Sequence, residues 1–126
     1  MKKEQAETSI EKKVQNFETQ FKKSTTQLLI LHLLSKREMY AYEFISETLK
    51  LTDNVYKMPL LYHIMNKLES DGFIEKSRRE ISENNRVRVY YRITERGIHY
   101  LNEITGAYSR LSQSVSSILF GEESNP

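Results

Sequence analysis

The chain has 126 residues, 38% of them apolar and 29% charged, with no cysteine and a formal net charge of +2. That length suits one modest core with an appended helix, and the missing thiols exclude disulfides and thiolate chemistry and point to a reducing compartment. The charged start "MKKEQAETSIEKK" has no apolar core after it, and the longest apolar run, Leu28 to Leu34, is far too short to span a bilayer, so a cytoplasmic protein without membrane contact is expected.

In the first 23 residues, Ile10, Val14, Phe17 and Phe21 fall four, three and four apart, which is one face of an amphipathic helix. The pairs Lys2-Lys3, Lys12-Lys13 and Lys22-Lys23 sit mostly off that face. Such a helix could lie on the domain or a partner chain, or serve as an arm that touches DNA. Ser24 to Gln27 has the S-x-x-Q form of a capping box, which predicts a separate helix starting there. That helix, "QLLILHLLS", is apolar nearly all round and reads as buried, with His32 a core or interface histidine. "MYAYEFISETLKL" returns to helical spacing, with Ala41, Ile45 and Leu49, flanked by Phe44, as its inner stripe. Glu43 and Glu47 on its outer side have no nucleophile or metal ligand beside them and read as a solvated face. "TDNVYK" follows as a turn.

Pro59 suits the first position of the next helix, where a missing N–H costs nothing. Leu61, Ile64, Met65 and Leu68 recur at i, i+3, i+4 and i+7 and form its buried face. The opposite stripe holds His63, Asn66, Lys67 and Ser70, with Tyr62 at its border, and can offer donors to base edges and phosphates. Gly72 ends this helix in the left-handed conformation. "FIEKSRREI" and "RVRVYYRIT" then alternate as strands about the polar turn "SENN". In the second, Val87, Val89, Tyr91 and Ile93 share one face and Arg86, Arg88, Tyr90 and Arg92 the other. Lys76 to Arg96 carries seven basic and three acidic residues, a net +4, so the rest of the chain sums to −2. Localised positive charge marks a polyanion-binding surface; the plainer reading is a strand edge guarded by charge.

Thr94 is the expected N-cap of the last helix. Along it Leu101, Ile104, Tyr108, Leu111, Val115 and Ile118 form a heptad seam. Only the N-terminal helix remains to cover this seam within the chain, so a homodimer is expected. Gly106 weakens the helix by up to about 1 kcal/mol against alanine. It could let a second helix approach closely or leave space beside Tyr108.

The expected fold is mainly α with a small antiparallel β-hairpin. A winged helix-turn-helix over residues 24–96 is preceded by an amphipathic helix over 1–23 and followed by a dimerisation helix over 97–121. Candidate contacts to double-stranded DNA are Tyr62, His63, Asn66 and Lys67 on the helix, with Lys57, Arg78, Arg79, Arg86 and Arg88 for the backbone and wing. An enzyme is not expected, nor a metal or other cofactor. There is no His/carboxylate cluster at ligand spacing and no Gly-rich phosphate loop.

"YAYEFI", "LLYHIMNKLESDGFIEK" and "VYYRITERGIHYL" together resemble the PadR family of bacterial transcriptional regulators, over residues 25–120. The resemblance implies a DNA-binding homodimer that acts as a repressor. Its single C-terminal helix is similar to the short-form subfamily, some of whose members respond to aromatic or cationic drug-like compounds at the dimer interface. A small aromatic effector near Gly106 and Tyr108 is what this implies here. Met58-Pro59-Leu60 stands where the family carries small residues and a glycine-threonine pair, Ala41 where it carries glycine, and Tyr108 where short-form members often carry tryptophan. A winged-helix protein–protein adaptor and a dimer that sequesters small molecules are the alternative functions.

Overall fold

The computed structural model describes residues 2–58 and 60–121, with side chains from Ser9 onward. In chain order the elements are α1 (Lys2–Leu34), β1 (Met39–Tyr40), α2 (Ala41–Leu51), α3 (Leu61–Ser70), β2 (Ile74–Ile81), β3 (Val87–Ile93) and α4 (Glu95–Phe120). The strands form one antiparallel sheet in the order β1-β3-β2. This is the winged-helix architecture that the sequence predicts: α2 and α3 make the helix-turn-helix, and β2 and β3 make the wing.

The predicted break at Ser24 is absent. α1 is a single helix of 33 residues. No glycine or proline interrupts residues 2–34, and extending an existing helix gains a bond per residue, whereas nucleating a new one costs free energy. The hydroxyls near Ser24 need no break either, because Thr25 Oγ1 donates back to the Phe21 carbonyl at 2.9 Å within the helix. The end of α1 supplies Ile30, Leu31, Leu33 and Leu34 to the core. His32, read as a core or interface histidine, is exposed in the single chain and so is no part of the core.

Met39 and Tyr40, expected to be helical, pair with Tyr91 and Tyr90 as β1. α2 therefore begins at Ala41, and Glu43 Oε1 accepts from the Tyr40 N–H at 3.2 Å. The fixed start sets the roll of α2. Phe44 and Thr48 are its buried residues, while Ala41, Ile45 and Leu49 are only half-buried.

On α3 the buried residues are Leu61, Ile64, Met65 and Leu68, the four that its periodicity predicts. Pro59 lies outside the described residues, and the first helical residue is Leu61. Leu60 before it holds a left-handed backbone, φ 57°, with no side-chain cap. Gly72, at φ +80°, closes the helix, and the Phe73 N–H reaches the Leu68 carbonyl at 2.9 Å.

The wing departs from simple alternation. Lys76 pairs with Tyr91 and Arg78 with Tyr90, so Ser77 is an extra residue, a β-bulge. Tyr90, expected on the outer arginine face, is 9% exposed. Arg78 lies over its ring at 3.7 Å and Tyr40 meets it edge-on at 5.3 Å. Val87 and Ile81, at the far end of the hairpin, are exposed.

Thr94 caps α4 as expected, its Oγ1 accepting from Gly97 N–H at 3.0 Å and donating to the Gly72 carbonyl at 2.7 Å. Leu101, counted with the seam, belongs instead to the core of its own chain, and Ile104 packs half-buried against that core. Beyond Ile104 the seam is uncovered: Tyr108, Leu111, Val115 and Ile118 are exposed, as are Ile10, Val14, Phe17 and Phe21 on α1. Phe17, Phe21 and Leu28 face Ile104, Tyr108, Leu111 and Val115 across an open apolar groove of about 730 Å³.

Candidate nucleic-acid interface

Because Leu61, Ile64, Met65 and Leu68 anchor α3 in the core, its polar arc must face out. Tyr62, His63, Asn66 and Lys67 are all exposed. At about 100° per residue they span an arc of roughly 140°, with Tyr62 at one border, Lys67 at the other and Asn66 between them. Lys57 is exposed in the loop that precedes α3.

That loop is held by groups the sequence pattern does not connect. Asp53, Asn54 and Leu60 all have positive φ, an uncommon backbone for side chains with a Cβ. Against this, the Tyr56 hydroxyl lies 2.6 Å from Thr25 Oγ1 and 3.0 Å from the fully buried Thr26 Oγ1. Its backbone N–H donates to Thr52 Oγ1 at 3.0 Å, and Lys22 Nζ sits 5.6 Å from the ring centre. Tyr56 thus ties the approach to α3 onto α1. Only the Thr-Thr pair in α1 and a lone aromatic in a polar turn could have signalled this, and neither is a motif.

The basic residues of the wing are not equivalent. Arg78 is taken up by Glu38, at 3.3 Å, by Glu80 and by the Tyr90 face. The Arg78 guanidinium, with the Tyr90 hydroxyl donating at 3.1 Å, holds the Glu80 carboxyl below the usual carboxylate range. Arg92 pairs with Glu75 at 2.6 Å, and Lys76 lies 3.9 Å from Glu69. Arg96 donates to the Asp71 carbonyl at 3.0 Å and covers Phe73. Arg79, Arg86 and Arg88 form no ion pair among the described residues and are exposed. Arg88 lies over the Tyr40 ring at 4.8 Å. Arg86 and Arg88 line a cleft of about 660 Å³ together with Tyr42 of α2 and Tyr62 of α3. The structure therefore brings the helix and the wing tip to one surface, while Arg78 is committed to the base of the sheet.

Of the two residues linked to an effector, Tyr108 lines the α1/α4 groove and Gly106 does not. A Cβ on Gly106 would meet only the end of the Arg110 side chain, at 3.4 Å.

A model of the transcriptional regulator PadR-like family matches residues 30–103. The chain belongs to the PadR-like family of transcriptional regulators. It is 30% identical over 97 residues to an uncharacterised protein of Lysinibacillus sphaericus, covering 75% of this chain and 88% of that one. It is similar to a PadR-like transcriptional regulator of Bacillus cereus, with a TM-score of 0.67 and 25% identity over 81% of this chain and 98% of the other. It is also similar to Bacillus subtilis PadR in complex with operator DNA, with a TM-score of 0.56 and 26% identity over 64% of this chain and 46% of the other. The PadR-like match starts at Ile30, inside α1, so most of this helix precedes the family model.

Proposed function

We propose that this PadR-like regulator binds duplex DNA sequence-specifically as a homodimer, and that it is a repressor released by a small aromatic ligand. The observation that carries the DNA reading is the shared surface of α3 and the wing: Tyr62 lines one cleft with Arg86 and Arg88. A helix with an outward polar arc can enter the major groove while unpaired arginines meet the backbone beside it. The likeness to a PadR seen with operator DNA supports the same reading.

The homodimer is supported by the apolar surface left on α1 and α4, where large side chains from Ile10 to Phe120 are exposed. A two-fold axis would set two copies of α3 for a near-palindromic site. The α1/α4 groove, with Tyr108 on its wall, is the candidate ligand site. A ligand there lowers DNA affinity only if it favours a spacing of the two α3 helices that does not fit DNA.

Selection from a random duplex pool, followed by anisotropy titrations on the selected site, tests the DNA reading. Asn66→Ala is expected to relax base preference. Arg86→Ala combined with Arg88→Ala is expected to weaken binding to all sequences and to reduce the salt slope by about two. An unchanged slope in the double variant removes the wing from the interface.

A further inference from the structure

The two borders of the α3 arc are flanked differently. Tyr62 opens onto the wing cleft. His63 and Lys67 open onto a second cleft of about 540 Å³ between α1, α3 and α4, and Lys23 of α1 lines it with them. All three side chains are exposed. Among the described residues of its wall Asp71 is the one acidic group, against two lysines. A helix seated in a major groove has a phosphate backbone along each side. The wing arginines serve one side of α3, and on the other side α1 sets Lys23 in the same cleft as Lys67.

The sequence of α1 continues this feature. Lys12, Asn16, Thr19 and Lys23 follow one another at spacings of four, three and four. Lys12 and Lys23 are eleven residues apart, which brings them within about 20° of the same helix face and about 16 Å apart along the axis. Glu11 and Glu18 fall outside this stripe, in line with Val14 and Phe21. One face of α1 thus offers donors and positive charge without a carboxylate, and it starts at the edge of the α3 surface.

We infer that α1 is part of the DNA interface: Lys23 seats a backbone phosphate together with His63 and Lys67, and Lys12, Asn16 and Thr19 extend the contact along flanking DNA. This rests on the DNA-binding reading above and adds to it a contact that is blind to base sequence.

The test is anisotropy with a labelled random-sequence 30-base-pair duplex, titrated between 50 and 200 mM NaCl. It compares the wild-type full chain with Lys12→Gln/Lys23→Gln, and with Lys36→Gln as a charge control beyond the other end of α1. Glutamine keeps helix propensity, and circular dichroism checks the fold. Removing two lysine–phosphate pairings is expected to lower the slope of log K against log salt by about 1.8 and to weaken binding roughly tenfold or more at 100 mM salt. Lys36→Gln is expected to leave the slope as in wild type. An unchanged slope in the double variant, or an equal drop in Lys36→Gln, overturns the α1 contact while leaving DNA binding intact. Wild-type protein that shows no salt-dependent binding overturns both.

Discussion

Arg78 and Arg86 have the same side chain eight positions apart, yet their charges serve different ends. Arg78 is neutralised by Glu38 and Glu80 and stacked on Tyr90. Arg86 stands at the wing turn with no ion pair among the described residues. Glu80 thereby acts as a brake on the wing's positive field. Its carboxyl is held low by Arg78, so the pairing is complete above the usual carboxylate range and is lost as pH falls through the lowered value. Glu80→Gln frees one contact of Arg78 and removes a negative charge. It is expected to tighten binding to random-sequence duplex several-fold at 50 mM NaCl and to steepen the salt slope by up to about one, in anisotropy titrations. A slope equal to wild type would mean that Arg78 stays on Glu38. The excess of arginines was legible in the sequence, but their division was not. It depends on Glu38, forty residues away in the chain, and on the bulge at Ser77, which turns Arg78 over Tyr90.

At the level of elements, local patterning found those whose burial follows from their own periodicity. α3 is the clearest, with all four apolar positions buried. It failed where a distant partner decides. β1 has two residues, too few for any periodic signal, and exists because β3 offers it an edge. Leu101 fits the heptad of α4, but its neighbours in space are core residues from other elements. The capping box at Ser24 is sound chemistry that a helix arriving from the N-terminal side overrides.

The two glycines of α4 separate the same way. A Cβ on Gly97 would lie 2.1 Å from the Phe73 carbonyl oxygen and 2.8 Å from Ile93 Cγ1. Gly97→Ala must push α4 off the β2 strand entry and is expected to cost about 1–3 kcal/mol, read as a lower midpoint in urea. Gly106→Ala meets only the end of the Arg110 side chain and is expected to stabilise by up to about 1 kcal/mol. A drop in stability at Gly106 would instead report a second helix packed closely on that position.

At the scale of the whole molecule, α4 carries a large exposed apolar face, the surface that the proposed homodimer would bury. Sedimentation is expected to give a dimer at micromolar concentration. Leu111→Asp, which changes a residue that is 65% exposed in the single chain, is expected to give a folded monomer with an unchanged helical circular dichroism spectrum. A wild-type monomer would refute the homodimer. The family match covers residues 30–103, the winged helix and the start of α4. Most of α1 and the outer part of α4 lie outside it, and these are the segments whose apolar faces are exposed in the single chain.

Thr25 has a place in two structures at once. It lines the groove between α1 and α4, and its hydroxyl touches that of Tyr56, 2.6 Å away. This sets an angular tolerance on α1. The surface of a helix lies about 5 Å from its axis, so a roll of only about 10° moves a surface atom by roughly 0.9 Å, enough to stretch that hydrogen bond to the limit of its range. Within that tolerance the bond, with the one to Thr26 beside it, holds the loop to α1. Beyond it, either the bond breaks or Tyr56 travels with the helix and draws Lys57 and the uncapped start of α3 behind it. In the proposed regulator, a ligand in the groove that rolled α1 would therefore be felt, one loop later, at the start of α3.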